Sequence, residues 1–121
     1  MQTKSSVPPQ GIVTYATLVG KVLAQRRQNM GIKQSDLAAA LTMSQSAYSR
    51  LESGDSVVNL AQLHVIAPRL GMSPSEVLSL ADEYGARLRQ QGVDVVSEKP
   101  GNPAAVAVGL GLLLALLLAS A

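Results

Sequence analysis

The stretch RRQNMGIKQSDLAAALTMSQSAYSRLESG, residues 26–54, decides how the chain is read. Leu37, Ala38 and Leu41 fall on one face of a helix running from Gln34 to Leu41. Thr42, Met43 and Ser44 interrupt it. Ser44 is a good N-cap, so a second helix runs from Gln45 to Ser53, and Gly54 stops it. Within that helix Ala47, Tyr48 and Leu51 share one side. Gln45, Ser46, Ser49 and Arg50 are left facing outward, a polar surface on a short, tightly held helix.

Working outward, a preceding helix is predicted from near Thr14 to Met30. Leu18, Val22 or Leu23, and Arg26 or Arg27 recur at helical spacing, and Gly31 ends it. After Gly54, Asn59 caps a fourth helix with Gln62 as its box partner. Its expected inward stripe is Leu60, Leu63, Ala67 and Leu70, with Pro68 disturbing the last turn and Gly71 closing it. Ser73, Pro74 and Glu76 open a fifth helix that reaches about Gln90, with Val77, Leu80 or Ala81, Tyr84 and Leu88 inward. Residues 1–13 read as a flexible arm and not as a signal peptide, since no apolar run follows Lys4. Residues 92–103 read as a linker. Val93–Val96 is the one strand-like run, and nothing else asks for a β-sheet. The expected class is all-α: a five-helix domain over residues 14–91, then a distinct apolar helix over residues 104–121.

Composition narrows the function. The chain has 121 residues and is 47% hydrophobic, but the tail from Ala104 inflates that figure. The remainder has ordinary soluble composition and supports one small core. There is no Cys, Phe or Trp and a single His, His64. This excludes thiolate metal sites and Cys nucleophiles and leaves nothing clustered for catalysis, so neither an enzyme nor a cofactor is expected. His64 is expected at the rim of the core. The net charge of +2 is uneven, because the basic residues gather in the first half. That favours an anionic partner.

Two helices joined by a three-residue turn, the second polar outside, form a helix-turn-helix pattern. Arg27, Gly31, Gln34, Leu37–Ala38, Ser44, LESG at 51–54 and LGMS at 70–73 together resemble the phage-repressor type of helix-turn-helix domain, the Xre or Cro/C1 family. The resemblance spans about half of the chain, roughly Leu18 to Leu80. It implies a lambda-repressor-like five-helix fold whose third helix enters the major groove of double-stranded DNA, usually as a homodimer. Carried onto this sequence, Gln45, Ser46, Ser49 and Arg50 stand nearest the base edges. Gln pairs with adenine, and Arg with guanine or phosphate. Ser44, Gln34 and Lys33 stand near the phosphates at the helix starts. Arg27 and Glu52 match positions that form a structural ion pair.

Three positions depart from the family pattern. Thr42 occupies a turn position usually held by Gly, where positive φ is expected and a β-branched residue is strained. Lys33 stands where Ser or Thr usually caps the second helix. Asp55 follows LESG where a basic residue is common.

The tail, AAVAVGLGLLLALLLASA at residues 104–121, carries no charge. At 1.5 Å per residue it spans about 27 Å as a helix, close to the ~30 Å hydrocarbon core of a bilayer. Val106, Leu110, Leu113, Leu114 and Leu117 supply its apolar body, and Ala105/Gly109 and Gly111/Ala115 give small residues at four-residue spacing. Lys99, Arg89 and Arg87 precede it, which would keep the head on the cytoplasmic side of a bacterial inner membrane. Three readings follow. The first is a membrane-tethered regulator that reads DNA. The second is a membrane-linked scaffold of the RodZ type, whose head binds a protein. The third is a soluble repressor that multimerises through its tail.

Overall fold

The computed structural model describes residues 11–98 and 103–120. The expected arm over residues 1–10 and the Lys99 flank of the tail lie outside them. The elements run β1 (Gly11–Thr14), α1 (Tyr15–Asn29), α2 (Gln34–Ala40), α3 (Gln45–Ser53), α4 (Leu60–Arg69), α5 (Pro74–Gln90), β2 (Val93–Val96) and α6 (Pro103–Ser120). The five predicted helices are all present, within a residue or two of their expected ends.

Their ends form for the expected reasons. The side chains of Thr14, Ser44, Asn59 and Ser73 each accept a hydrogen bond from a backbone N–H in the first turn they cap. Asn59 with Gln62, and Ser73 with Glu76, complete reciprocal capping boxes. Pro68 sits in the last turn of α4, which stops one residue later. Lys33 makes no side-chain cap bond, as its identity foretold.

The core collects Leu18, Leu23, Leu37, Tyr48, Leu51, Ile66, Leu70, Val77, Ala81 and Leu88, all buried. Two positions in α4 differ from the expected stripe. Leu60 is exposed, and Ile66 takes the inward place instead. Leu60 is the first residue after the cap, where the chain is still entering the helix from the rim of the domain. His64 is exposed as well and does not line the core.

A small sheet is the main departure from the all-α expectation. β1 pairs with β2 in parallel, with Gly11 opposite Val93 and Thr14 opposite Val96. So residues 11–13 are not free arm, and residues 93–96 are not linker. Parallel strands need a long crossover, and here the whole of α1–α5 serves as one. Three of the four residues in each strand are β-branched (Ile12, Val13 and Thr14; Val93, Val95 and Val96), and Val13 and Val93 are buried. Val93–Val96 is the one strand-like run in the sequence, while Gly11–Thr14 gives no such signal; each pairs with a partner some eighty residues away.

The tail helix α6 packs on β1. Leu113 and Leu117 are buried, and Gln25 Nε2 donates to the Leu117 carbonyl at 3.2 Å. Gly109 makes the approach possible: a Cβ there would fall on the Ile12 carbonyl oxygen and the Val13 side chain. The small residue thus serves contact within the chain. Among the described residues no helix is long and apolar enough to cross a membrane, and α6 is docked along one side on β1. Leu110 and Val106 are half-buried and Leu114 is exposed.

Gly109→Val is therefore expected to undock α6 at a cost of about 1–3 kcal/mol. Hydrogen exchange should show faster exchange of the β1 amides, with α3 protected as before.

Candidate nucleic-acid interface

α3 is held from behind by α1 and α2. Tyr48 and Leu51 are its buried anchors. α1 comes close because residue 20 is glycine: a Cβ there would fall on the Leu51 and Glu52 carbonyl oxygens. The close packing fixes how far α3 stands out from the body.

A charged cluster completes the mounting. Arg27, in the last turn of α1, meets Glu52 of α3 in a two-pronged pair, Nε to Oε2 at 2.7 Å and Nη2 to Oε1 at 3.0 Å. Its third nitrogen, Nη1, donates to the Ile32 carbonyl at 2.9 Å. Gln34 Nε2, from the start of α2, donates to Glu52 Oε1 at 2.9 Å. The two charged side chains are 12% and 5% exposed. One carboxylate thereby ties α1, the α1–α2 turn, α2 and α3 together. The Tyr48 hydroxyl lies buried without a hydrogen-bond partner, alone in this among the described residues. Burial first, and the nearby Glu52 second, push its pKa up and keep it un-ionised.

The expected ion pair is thus present, and Gln34 joins it. Its carboxamide is engaged with Glu52 and is no loose group at a helix start. The i, i+18 relation between Gln34 and Glu52 gives no local signal of this contact. Ser44 is occupied in a similar way: its Oγ accepts from Ala47 N at 3.1 Å and lies 3.3 Å from Ser46 Oγ.

The remaining candidates stand on the outer surface. Gln45, Ser46 and Arg50 are exposed along α3, Ser49 is half-buried beside them, and Lys33 is exposed in the turn before α2. Asp55 is exposed just past the end of α3. The turn that sets α3 against α2 contains Thr42 at φ +56°, the one non-glycine residue with positive φ among those described. The expected strain at this position is present. Among the described residues no group of His, Asp or Glu could hold a metal ion.

This geometry agrees with the comparisons. A sequence model described as a helix-turn-helix domain matches residues 18–86. The chain belongs to the helix-turn-helix domain family. Two crystal structures of the clp gene regulator ClgR from Corynebacterium glutamicum share the fold. One aligns with a TM-score of 0.60 at 28% identity, covering 64% of this chain and 82% of that one. The other aligns with a TM-score of 0.53 at 29% identity, covering 57% and 90%. No curated protein matches the chain. The matched residues leave out β1, β2 and α6.

Two substitutions test the mounting. Glu52→Ala leaves the half-buried Arg27 guanidinium without its carboxylate and is expected to lower the unfolding free energy by about 2–3 kcal/mol in urea denaturation. Thr42→Gly relieves the left-handed turn and should raise it by about 1 kcal/mol.

Proposed function

We propose that this helix-turn-helix protein is a sequence-specific, double-stranded-DNA-binding transcriptional regulator of the Xre or Cro/C1 type. It works as a homodimer and acts most simply as a repressor, by occupying its operator. It carries no catalytic machinery. The observation that supports this best is the division of α3. Tyr48 and Leu51 are buried against the body, while Gln45, Ser46 and Arg50 are exposed on a helix short enough to enter a major groove. Gln45 and Ser46 form the first turn, the part of such a helix that meets base edges. Arg50 follows one turn later and reaches either guanine or the backbone.

Lys33 belongs to the other class of contact. Its exposed ammonium beside α2 offers a phosphate contact that holds the protein in register without reading sequence. Gln34 and Ser44 act by positioning. Gln34 braces α2 against Glu52, and Ser44 caps α3. A protein-binding scaffold differs from this reading in one measurable respect: its binding would not follow the phosphate-dependent salt law.

Selection of binding sites from a random duplex pool tests the assignment. The wild-type chain is expected to enrich one motif. Gln45→Ala and Arg50→Ala should each relax it at one position, a loss of about 1–3 kcal/mol in discrimination. Lys33→Ala should weaken all sequences alike and reduce the log–log salt slope by about 1. If the doubly substituted Gln45→Ala/Arg50→Ala chain enriches the same motif as wild type, α3 does not read the bases.

A further inference from the structure

The last turns of α1 send three successive side chains to three different elements. Gln25 Nε2 donates to the Leu117 carbonyl of α6 at 3.2 Å, and Arg26 Nε donates to the Leu70 carbonyl at the end of α4 at 2.8 Å. Arg27 holds Glu52 of α3. Between these turns and α5 runs a groove of two adjoining cavities, which share Arg26, Met72 and Leu80. The tighter cavity, about 190 Å³, is also lined by Gln25, Asn29 and Tyr84. The wider one, about 410 Å³, is also lined by Ser75, Glu76 and Ser79.

We infer that this groove is a binding site for a small organic carboxylate, whose charged head pairs with Arg26 in the tighter cavity and whose apolar body lies over Met72 and Leu80. Three features select that ligand. The first is charge. Among the described residues Arg26 is the one charged group lining the tighter cavity. Glu76 lines the wider cavity alone, where its Oε1 accepts from the Ser73 backbone N–H at 2.7 Å. An anionic head therefore belongs on the Tyr84 side of Arg26 and not on the Glu76 side. The second is preorganisation. A guanidinium is planar and carries five N–H donors, so the bond to Leu70 fixes the plane in which the other four lie. Among the described residues Leu70 is the one hydrogen-bond partner of the Arg26 side chain. Donors held in that way suit the two oxygens of a carboxylate. Arg27, one residue on, shows the contrast, since its donors are taken up by Glu52 and Ile32. The third is size and lining. The tighter cavity is too small for the several side chains of a protein partner. Its half-buried Met72, Leu80 and Tyr84, with a few polar groups beside them, are the mixture that small-molecule sites show. Gln45, Ser46 and Arg50 do not line the groove, so this inference stands apart from the DNA-reading function proposed above.

Hexanoate, 1-hexanol and hexylamine share one apolar body and differ in the head, so titrating each into the full-length chain tests the site. Chemical shifts of the amides, the Met72 and Leu80 methyls and the Arg26 Nε–H are read by NMR. Hexanoate is expected to saturate with a Kd of about 1 mM or below and to move the signals of Arg26, Met72, Leu80 and Tyr84. 1-Hexanol should bind at least ~10-fold more weakly, and hexylamine more weakly still. Arg26→Gln should bring hexanoate down to the level of 1-hexanol while the signals of α3 keep their positions.

Equal affinity for hexanoate and 1-hexanol overturns the inference, since the groove would then accept apolar bodies without reading charge. So does a preference for hexylamine, which would give the groove to Glu76. Hexanoate that does not saturate, or whose shifts gather outside the groove, overturns it as well. A folded Arg26→Gln chain that still prefers hexanoate does the same. Should that substitution cost the fold, through loss of the tie to Leu70, the comparison of head groups in the wild-type chain decides alone, because it needs no substitution.

Discussion

Arg27 and Glu52 set the geometry on which the interface of this protein depends. A carboxylate with so little exposure is costly to bury unless its charge and lone pairs are answered. Here Arg27 answers with two N–H groups and Gln34 with a third. Arg27 spends its remaining nitrogen on the Ile32 carbonyl, in the turn that leads to α2. The partners come from α1, α2 and α3, so the pair is satisfied in only one mutual arrangement of the three helices. Hydrophobic burial of Leu18, Leu37, Tyr48 and Leu51 drives those helices together without much regard for direction. The charged cluster supplies the direction. Tyr48 shows how closely the site is drawn: its hydroxyl is enclosed beside Glu52 yet makes no hydrogen bond.

The same demand for one arrangement is met at the other end of the domain by different means. β1 and β2 enter and leave the five-helix body side by side, and their parallel pairing joins the two ends of the helical domain. α6 then covers β1, using Gly109 to bring helix and strand backbones together and Leu113 and Leu117 to fill the space beyond. Gln25 reaches from α1 to the Leu117 carbonyl and ties this added layer to the body. The added layer thus leans on α1, the helix that also mounts α3. Its contacts lie away from Gln45, Ser46 and Arg50 on α3.

Much of this was legible because its causes are local. Caps, stop glycines and helical spacing act over three to five residues, and Ser44, Asn59 and Ser73 each formed the bond that their identity foretold. The strain at Thr42 was legible for the same reason, since φ is a property of one residue in one turn. The ion pair came from the family resemblance and not from spacing. What stayed hidden was non-local. GIVT and VDVV become strands only by meeting each other. A tail with no charge matches the composition of a membrane span. Whether its leucines face lipid or protein depends on what a glycine such as Gly109 finds opposite it. Composition records solubility in an apolar phase and does not say which phase.

Leu60 shows where periodicity itself falls short. The spacing Leu60, Leu63, Ala67, Leu70 is a correct helical stripe, and three of its four members are buried. The period was right, but a period says nothing about where the core begins. Asn59 starts α4 at the rim of the domain, so the first residue of the stripe emerges before the body can cover it. A large apolar side chain at such a place weakens solubility and gives the isolated fold little. Leu60 and Val57 stand together there, beside an apolar recess and one loop away from α3.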